Sequence, residues 1–162
     1  MSAWIPVLLC ILVIATESTI VFGADHTSGP LQHFFEFILN RKFSADEWEI
    51  RHFYIRKTGH FLGYGTLSIA WFRAFRMTLR ATSSHVSARI VSVSRITAGA
   101  IRRQRQAHGL AMLGTLVVAS ADEFHQSFLP NRTGTPKDVL LDCTGAAVVQ
   151  LIVWLCLRKR AE

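Results

Sequence analysis

Four apolar blocks, each close to the length of a membrane crossing, constrain this chain more than anything else in it: Trp4–Phe22, Thr58–Phe72, Gly109–Leu129 and Val139–Leu157. A helix rises about 1.5 Å per residue, so about 20 apolar residues cover the ~30 Å hydrocarbon core of a bilayer. Half of the 162 residues are hydrophobic, and they gather in these blocks instead of recurring periodically as in a soluble domain. The second block is short unless it runs on toward Leu79, with Arg73 and Arg76 snorkelling to the interface. The expected architecture is therefore all-α, one domain over residues 1–162, built as an integral membrane bundle of four transmembrane helices at about 4–22, 58–77, 109–129 and 139–157. Residues 1–16 contain no Lys or Arg, and Phe22 is too bulky for a small-x-small cleavage site, so the first block reads as a retained span.

Loop charge orients the bundle, because Lys and Arg accumulate in segments that stay in the cytoplasm. Between the second and third blocks stand Arg73, Arg76, Arg80, Arg89, Arg95, Arg102, Arg103 and Arg105 with no acid among them, and Arg158-Lys159-Arg160 follows the fourth block. Asp25 to Arg56, in contrast, mixes both signs. Both termini and a basic loop at about 78–107 are thus expected on the cytoplasmic side, and the first and third loops outside. This placement also accounts for the net charge of +7, so no nucleic-acid partner is expected and anionic lipid headgroups are the default contact. The Ser-rich stretch Thr82–Thr97 fits either a surface helix or a mobile segment. Cys10, Cys143 and Cys156 all lie in apolar blocks without metal-ligand spacing, which argues against a disulfide framework or a structural zinc site.

The third block breaks the apolar pattern. Its last third carries Asp122, Glu123, His125 and Gln126, and Arg132 follows closely. Ionisable groups inside a bilayer cost about 2.5–3.5 kcal/mol each on insertion scales, and persist where they are paired, hydrated or functional. The orientation derived from loop charge brings the other polar residues to the same depth. Lys57, His60 and Tyr64 lie at the outer end of the second span, and Asp138 and Asp142 at the outer start of the fourth. Even Glu17 and Thr19 lie toward the outer end of the first. Within each span these residues step by three or four, so each helix presents one polar stripe. The stripes can meet in a hydrated pocket between the helices. Residues 130–137 are rich in turn formers and suit a tight hairpin, with Asp138 placed to cap or begin the next helix.

Three segments also carry a family resemblance. Arg56 to Leu67 (RKTGHFLGYGTL), Ala121 to Arg132 (ADEFHQSFLPNR) and Asp138 to Gly145 (DVLLDCTG) resemble the VanZ-like membrane proteins, whose pattern is Lys-x-x-His-x-x-x-Tyr, then Asp-Glu-x-x-Gln-x-x-x-Pro-x-Arg, then Asp-x-x-x-Asn/Asp-x-x-Gly. The resemblance implies a multi-pass protein of the bacterial cytoplasmic membrane, related to an accessory component of resistance to the glycopeptide antibiotic teicoplanin. It implies no defined activity. Asp142 stands where many members have Asn, and the segment Met77–Ala107 is longer than usual for the family.

Three readings of the polar residues follow. In the first, Lys57, His60, Tyr64, Asp122, Glu123, Gln126, Arg132, Asp138 and Asp142 line a pocket for an anionic envelope component, such as a lipid-linked cell-wall precursor or a polyanionic glycopolymer. Lys57 and Arg132 make the cationic contacts. In the second, His60 is the acid or base of an enzyme acting on such a precursor, its tautomer held by Asp122 or Glu123. The same carboxylates could collect a hard cation such as Mg²⁺, although no metal or cofactor motif is present and none is expected. In the third, Lys57 and Arg132 neutralise Asp122, Glu123 and Asp142 in an ion-pair network that only joins the helices. Gly59, Gly63, Gly65 and Gly145 are expected to permit close helix approach, and Trp4, Trp71 and Trp154 to anchor at interfaces. His26, His33, His52, His85, His108 and His125 are expected at solvent or interface positions.

Overall fold

A computed structural model describes residues 2–84, 93–130, 132 and 134–159. Among the described residues it is all-α, with no strand. Five helices follow in order: α1 (Ile5–Glu17), α2 (Ala24–Leu39), α3 (Ala45–Ser84), α4 (Val93–Gln126) and α5 (Pro136–Lys159), with a 3-10 turn at Ile20–Phe22. The helices α3, α4 and α5 pack together, and α1 lies mainly against α3.

Small residues let these helices approach. Ala70 and Ala74 of α3, Ala107, Ala111 and Ala119 of α4, and Ala146 of α5 are all buried. Gly145 is the tightest crossing: a Cβ there would stand 2.3 Å from the Phe61 carbonyl oxygen of α3. Gly65 meets Val149 in the same way, at 2.9 Å. Gly59 and Gly63 have no such neighbour within 4 Å, so only part of the glycine expectation holds. One apolar cluster joins Val7 and Ile14 of α1 to Tyr64, Leu67, Ala70 and Ala74 of α3 and Ala119 of α4. A second, at the other end, gathers Phe72, Ala107 and Ala111 with Leu79, Val153 and Leu157 around them. Trp4 closes that end by packing edge-on to Trp71 and Phe75, so Trp4 and Trp71 face each other inside the bundle. Trp154 is the more exposed ring, with the Arg158 guanidinium over it.

The outward surface is unusually apolar. Leu8, Leu9, Leu12 and Val13 of α1, Leu113 and Val117 of α4, and Leu151, Ile152 and Leu155 of α5 are all exposed. Among the described residues α5 is the one helix long and apolar enough by itself to cross a membrane, over Pro136–Arg158. The helix α1 has 13 residues, or about 20 Å of length, and falls short of the expected 4–22 span because the chain turns at Ser18. The helices α3 and α4 carry the expected second and third blocks inside elements of 40 and 34 residues. They extend into the segment expected as a basic loop at 78–107, of which residues 85–92 lie outside the described residues, as does His85. The Thr82–Thr97 alternative falls largely on that same stretch.

The mixed-charge segment from Asp25 to Arg56, expected as a loop, is mostly helical. It forms α2 and the first turns of α3. The start of α3 is a capping arrangement, since the Ser44 hydroxyl accepts from the Glu47 backbone N–H at 3.3 Å and Asp46 and Glu47 occupy the first turn. Between the helices, Asn40 adopts a left-handed conformation (φ 47°), a geometry Asn tolerates better than most residues. The buried Glu36 carboxylate then accepts from Lys42 Nζ at 2.8 Å, the Phe43 backbone N–H at 3.0 Å and Gln32 Nε2 at 3.1 Å. The Trp48 indole donates to the Ser28 hydroxyl at 2.8 Å and ties α2 onto α3.

This corner is pH-sensitive. The Lys42 ammonium, then the Phe43 amide and Gln32, hold the Glu36 carboxyl down to about 2. A carboxyl lowered on folding contributes stability that is complete above its unfolded value of about 4.3 and lost as pH falls toward the folded value. The protection factor of the Phe43 amide in hydrogen exchange is therefore expected to hold above about pH 4.5 and fall between there and about pH 2. In Glu36→Gln it is expected to be low and flat over the same range.

Candidate functional site

The polar residues of four separated segments meet at one end of the bundle, opposite the Trp4–Phe75 cluster. From α3, Lys57 forms an ion pair with Asp138 of α5. One turn further on, His60 Nδ1 stands 3.4 Å from Asp142 Oδ1. A turn deeper, the Tyr64 hydroxyl donates to Asp122 Oδ2 of α4 at 2.8 Å, and Gln126 Nε2 donates to the same oxygen at 3.1 Å. Glu123 Oε2 accepts from the Thr135 backbone N–H at 2.9 Å, which fastens the α4–α5 hairpin. Gly134 makes that closure possible, because a Cβ there would collide with the Glu123 carbonyl oxygen at 2.0 Å. Every residue named from the sequence for this pocket takes part in this assembly or its walls.

Several expected roles change. Of the two positions expected for Asp138 it takes the second: it lies in the first turn of α5, which Pro136 opens, and Thr135 is the cap, its hydroxyl accepting from the Asp138 N–H at 3.3 Å. Asp142, not Asp122 or Glu123, is the carboxylate paired with the His60 ring, while Asp122 is taken by Tyr64 and Gln126 and Glu123 by the Thr135 backbone. Arg132 pairs with none of the carboxylates. Its Nη2 donates to the Glu17 and Thr19 carbonyls at 2.8 and 2.9 Å, and Nη1 to Gln126 Oε1 at 3.2 Å. It thereby clamps the C-terminal end of α1, the negative end of the helix dipole, to the α4–α5 hairpin. The neutralising network of Lys57 and Arg132 around Asp122, Glu123 and Asp142 is therefore not what forms.

A cavity of about 280 Å³ opens against this assembly. Its walls include Lys57, His60, Glu123, Gln126, Arg132 and Asp138, together with Glu49, His52, Phe53 and Arg56, none of which was expected in the pocket. These four belong to the first turns of α3, which carry the polar stripe outward from His60 at helical spacing. The Ser44-x-x-Glu47 cap was the signal that α3 starts that early. His52 is buried, contacts the Thr27 hydroxyl at 3.2 Å and stacks on Trp48, unlike the solvent or interface position expected for it. Among the described residues Arg56 has no ion-pair or hydrogen-bond partner, which leaves one half-buried guanidinium on the wall. A groove of about 470 Å³ adjoins the cavity, shares Phe53, Lys57 and Asp138 with it, and is otherwise lined by Tyr54, Thr58, Phe61, Lys137 and Leu141.

A second polar layer lies in the opposite half of the bundle. Gln150 Nε2 donates to the Ser68 carbonyl at 2.9 Å, and His108, stacked on Phe72, lies beside Gln150 Oε1. His108 is thus an inter-helix contact instead of the isolated residue its sequence position suggested. His26, His33 and His125 are exposed, as expected.

Removing the clamp tests the role of Arg132. Arg132→Ala is expected to destabilise the detergent-solubilised protein by about 2–3 kcal/mol, the scale of charge-assisted hydrogen bonds. Arg132→Lys is expected to recover little, since one ammonium cannot reproduce the fork that reaches three acceptors. Thermal unfolding and proteolytic release of α1 would measure both.

The family model described as VanZ/LLP1 matches residues 3–157, nearly the whole chain. No curated protein and no solved structure matches it. The chain belongs to the VanZ/LLP1 family.

Proposed function

From this membership and the geometry of the cavity, we propose that the protein is a multi-pass protein of the bacterial cytoplasmic membrane that binds a lipid-linked anionic envelope component, such as a cell-wall precursor, at its outer face. The observation that carries the reading is the pairing of two adjoining spaces. A polar cavity with Lys57 and the Arg56 guanidinium, unpaired among the described residues, on its wall suits a phosphate or carboxylate headgroup. The apolar groove running from Phe53 past Phe61 and Leu141 suits the chain attached to it. A soluble polyanionic polymer has no use for that groove, so the lipid-linked ligand is favoured over it.

The membrane topology rests on charge and surface. The helices α1, α3, α4 and α5 are the four spans, with their exposed aliphatic faces toward lipid. Arg73, Arg76 and Arg80 at the end of α3, Arg102, Arg103 and Arg105 near the start of α4, and Arg158 at the end of α5 share the end of the bundle where Trp4 lies. By the positive-inside rule that end is cytoplasmic, and the cavity faces out. The helix α2 then lies at the outer interface, with Phe34, Phe37 and Ile38 exposed on it. The short α1 is accommodated at its outer end by the Arg132 clamp. The relation to glycopeptide resistance belongs to the same proposal: a protein that holds an envelope precursor alters what such an antibiotic meets.

Two measurements test the reading. In a background with Cys10, Cys143 and Cys156 replaced by alanine, Lys137→Cys is expected to react with a membrane-impermeant maleimide in intact cells, and Arg102→Cys only after permeabilisation; the reverse pattern sinks the topology. For the ligand, purified protein is expected to bind a polyprenyl phosphate saturably and the uncharged polyprenol much less. Arg56→Ala is expected to weaken that binding about tenfold, for the loss of a charge-assisted hydrogen bond. Equal binding of both polyprenols removes the headgroup from the proposal, and time-dependent conversion of a saccharide-linked precursor makes the protein an enzyme.

A further inference from the structure

The carboxylates that the cavity leaves unexplained are Glu123 and Asp142. Asp142 is completely buried; its close polar neighbour is His60 Nδ1 at 3.4 Å, and neither of its oxygens accepts a hydrogen bond of good geometry. Glu123 is 5 % exposed and has one backbone donor, the Thr135 N–H. Among the described residues no Lys or Arg forms an ion pair with either, because Lys57 is held by Asp138 and Arg132 by backbone carbonyls and Gln126. Asp142 thus has only the His60 imidazole beside it and Glu123 only a backbone amide and the cavity edge, fewer donors than two buried carboxylates demand.

The imidazole of His60 completes the arrangement. One nitrogen of His60 and one oxygen each of Glu123 and Asp142 all lie within 4.8 Å of one another. Two donors to a single ion at about 2.1 Å stand roughly 3.0–3.5 Å apart, and the 3.4 Å between His60 Nδ1 and Asp142 Oδ1 already has that spacing. We propose that His60, Glu123 and Asp142 bind one divalent transition-metal ion at the inner wall of the cavity. A single imidazole with two carboxylates favours Mn²⁺ or Zn²⁺ over Mg²⁺ or Ca²⁺, which take oxygen alone, and over Cu⁺, which seeks sulfur. The three ligands come from α3, α4 and α5, so the ion would join all three helices at the Gly145 crossing. The Thr135 N–H on Glu123 is the outer contact that fixes one carboxylate in place. Remaining coordination positions face the cavity that His60 and Glu123 both line. The site does not depend on which ligand that cavity takes.

Chelator-stripped, full-length protein in detergent, titrated with Mn²⁺ and followed by electron paramagnetic resonance, tests this. One saturable Mn²⁺ per chain is expected, displaced by Zn²⁺, with a rise in the thermal unfolding temperature on binding. Pulsed spectra of the bound Mn²⁺ are expected to show coupling to a single imidazole nitrogen. Asp142→Asn is expected to weaken binding by at least about tenfold, the lower end of what losing even an outer partner of a site costs. Glu47→Gln, which removes an acid far from the site, is expected to bind as the parent does. If the parent binds neither ion saturably, the carboxylates are held by protons and the proposal fails. It fails equally if the bound Mn²⁺ shows no nitrogen coupling, a result that needs no variant to fold, or if a folded Asp142→Asn binds unchanged.

Discussion

Three carboxylates, those of Asp122, Glu123 and Asp142, are buried where α3, α4 and α5 meet, and the surrounding structure is arranged around satisfying them. Asp122 is answered by a phenol and an amide, Tyr64 and Gln126. Glu123 is answered by a backbone amide of the α4–α5 hairpin, which in turn requires Gly134 against the end of α4. Asp142 faces His60 and is brought there because Gly145, one turn along, lets the α5 backbone reach the Phe61 carbonyl of α3. A methyl group at either glycine would displace the donors from their acceptors. The polar chemistry of this end and the closeness of its helices are therefore one constraint, since buried charge demands short contacts and short contacts demand small residues.

The cations serve a different purpose from simple neutralisation. Arg132 binds main-chain carbonyls at the end of α1, so a short helix is held to the bundle by its dipole end instead of by a long apolar interface. Lys57 engages Asp138 at the rim, where both are partly exposed and the pair adds little to stability. Arg56 remains available on the cavity wall. This division leaves negative charge in the depth and positive charge at the mouth. An anionic headgroup drawn in by Arg56 and Lys57 would thus approach a metal ion held by the deeper carboxylates, and the two proposed occupants are electrostatically compatible.

Much of this end was legible in the sequence, because intramembrane charge is costly enough that its positions stand out against an apolar background. Lys57, His60 and Tyr64, or Asp122 and Gln126, share a face by helical spacing alone, and depth followed from loop charge. The partners were not legible. Asp122 and Asp142 are both one helix away from His60 in any bundle drawn from periodicity, and the rotation that selects Asp142 is set by the Gly145 crossing. Arg132 looked like a ligand-binding cation because nothing in the sequence announces that two carbonyls of α1, more than a hundred residues earlier, will lie beside it. The mixed charges of the segment from Asp25 to Arg56 suggest a loop, although Ser44-x-x-Glu47 marks the start of α3. Ser68, His108 and Gln150 gave no signal at all, since single polar residues at separate positions become a layer only when the helices bring them together.

The sequence by itself determined that the chain is helical, that its apolar surface is concentrated in blocks, that its polar residues gather toward one end, and which family it resembles. These follow from composition and period, which act locally and can be counted along the chain. Tertiary structure decided which carboxylate meets which donor, that α1 is clamped and α2 exists, and that among the described residues neither Lys nor Arg pairs with Glu123 or Asp142. Those outcomes depend on how closely backbones can approach, fixed by Gly134 against the end of α4 and by Gly145 against Phe61, far away in the chain.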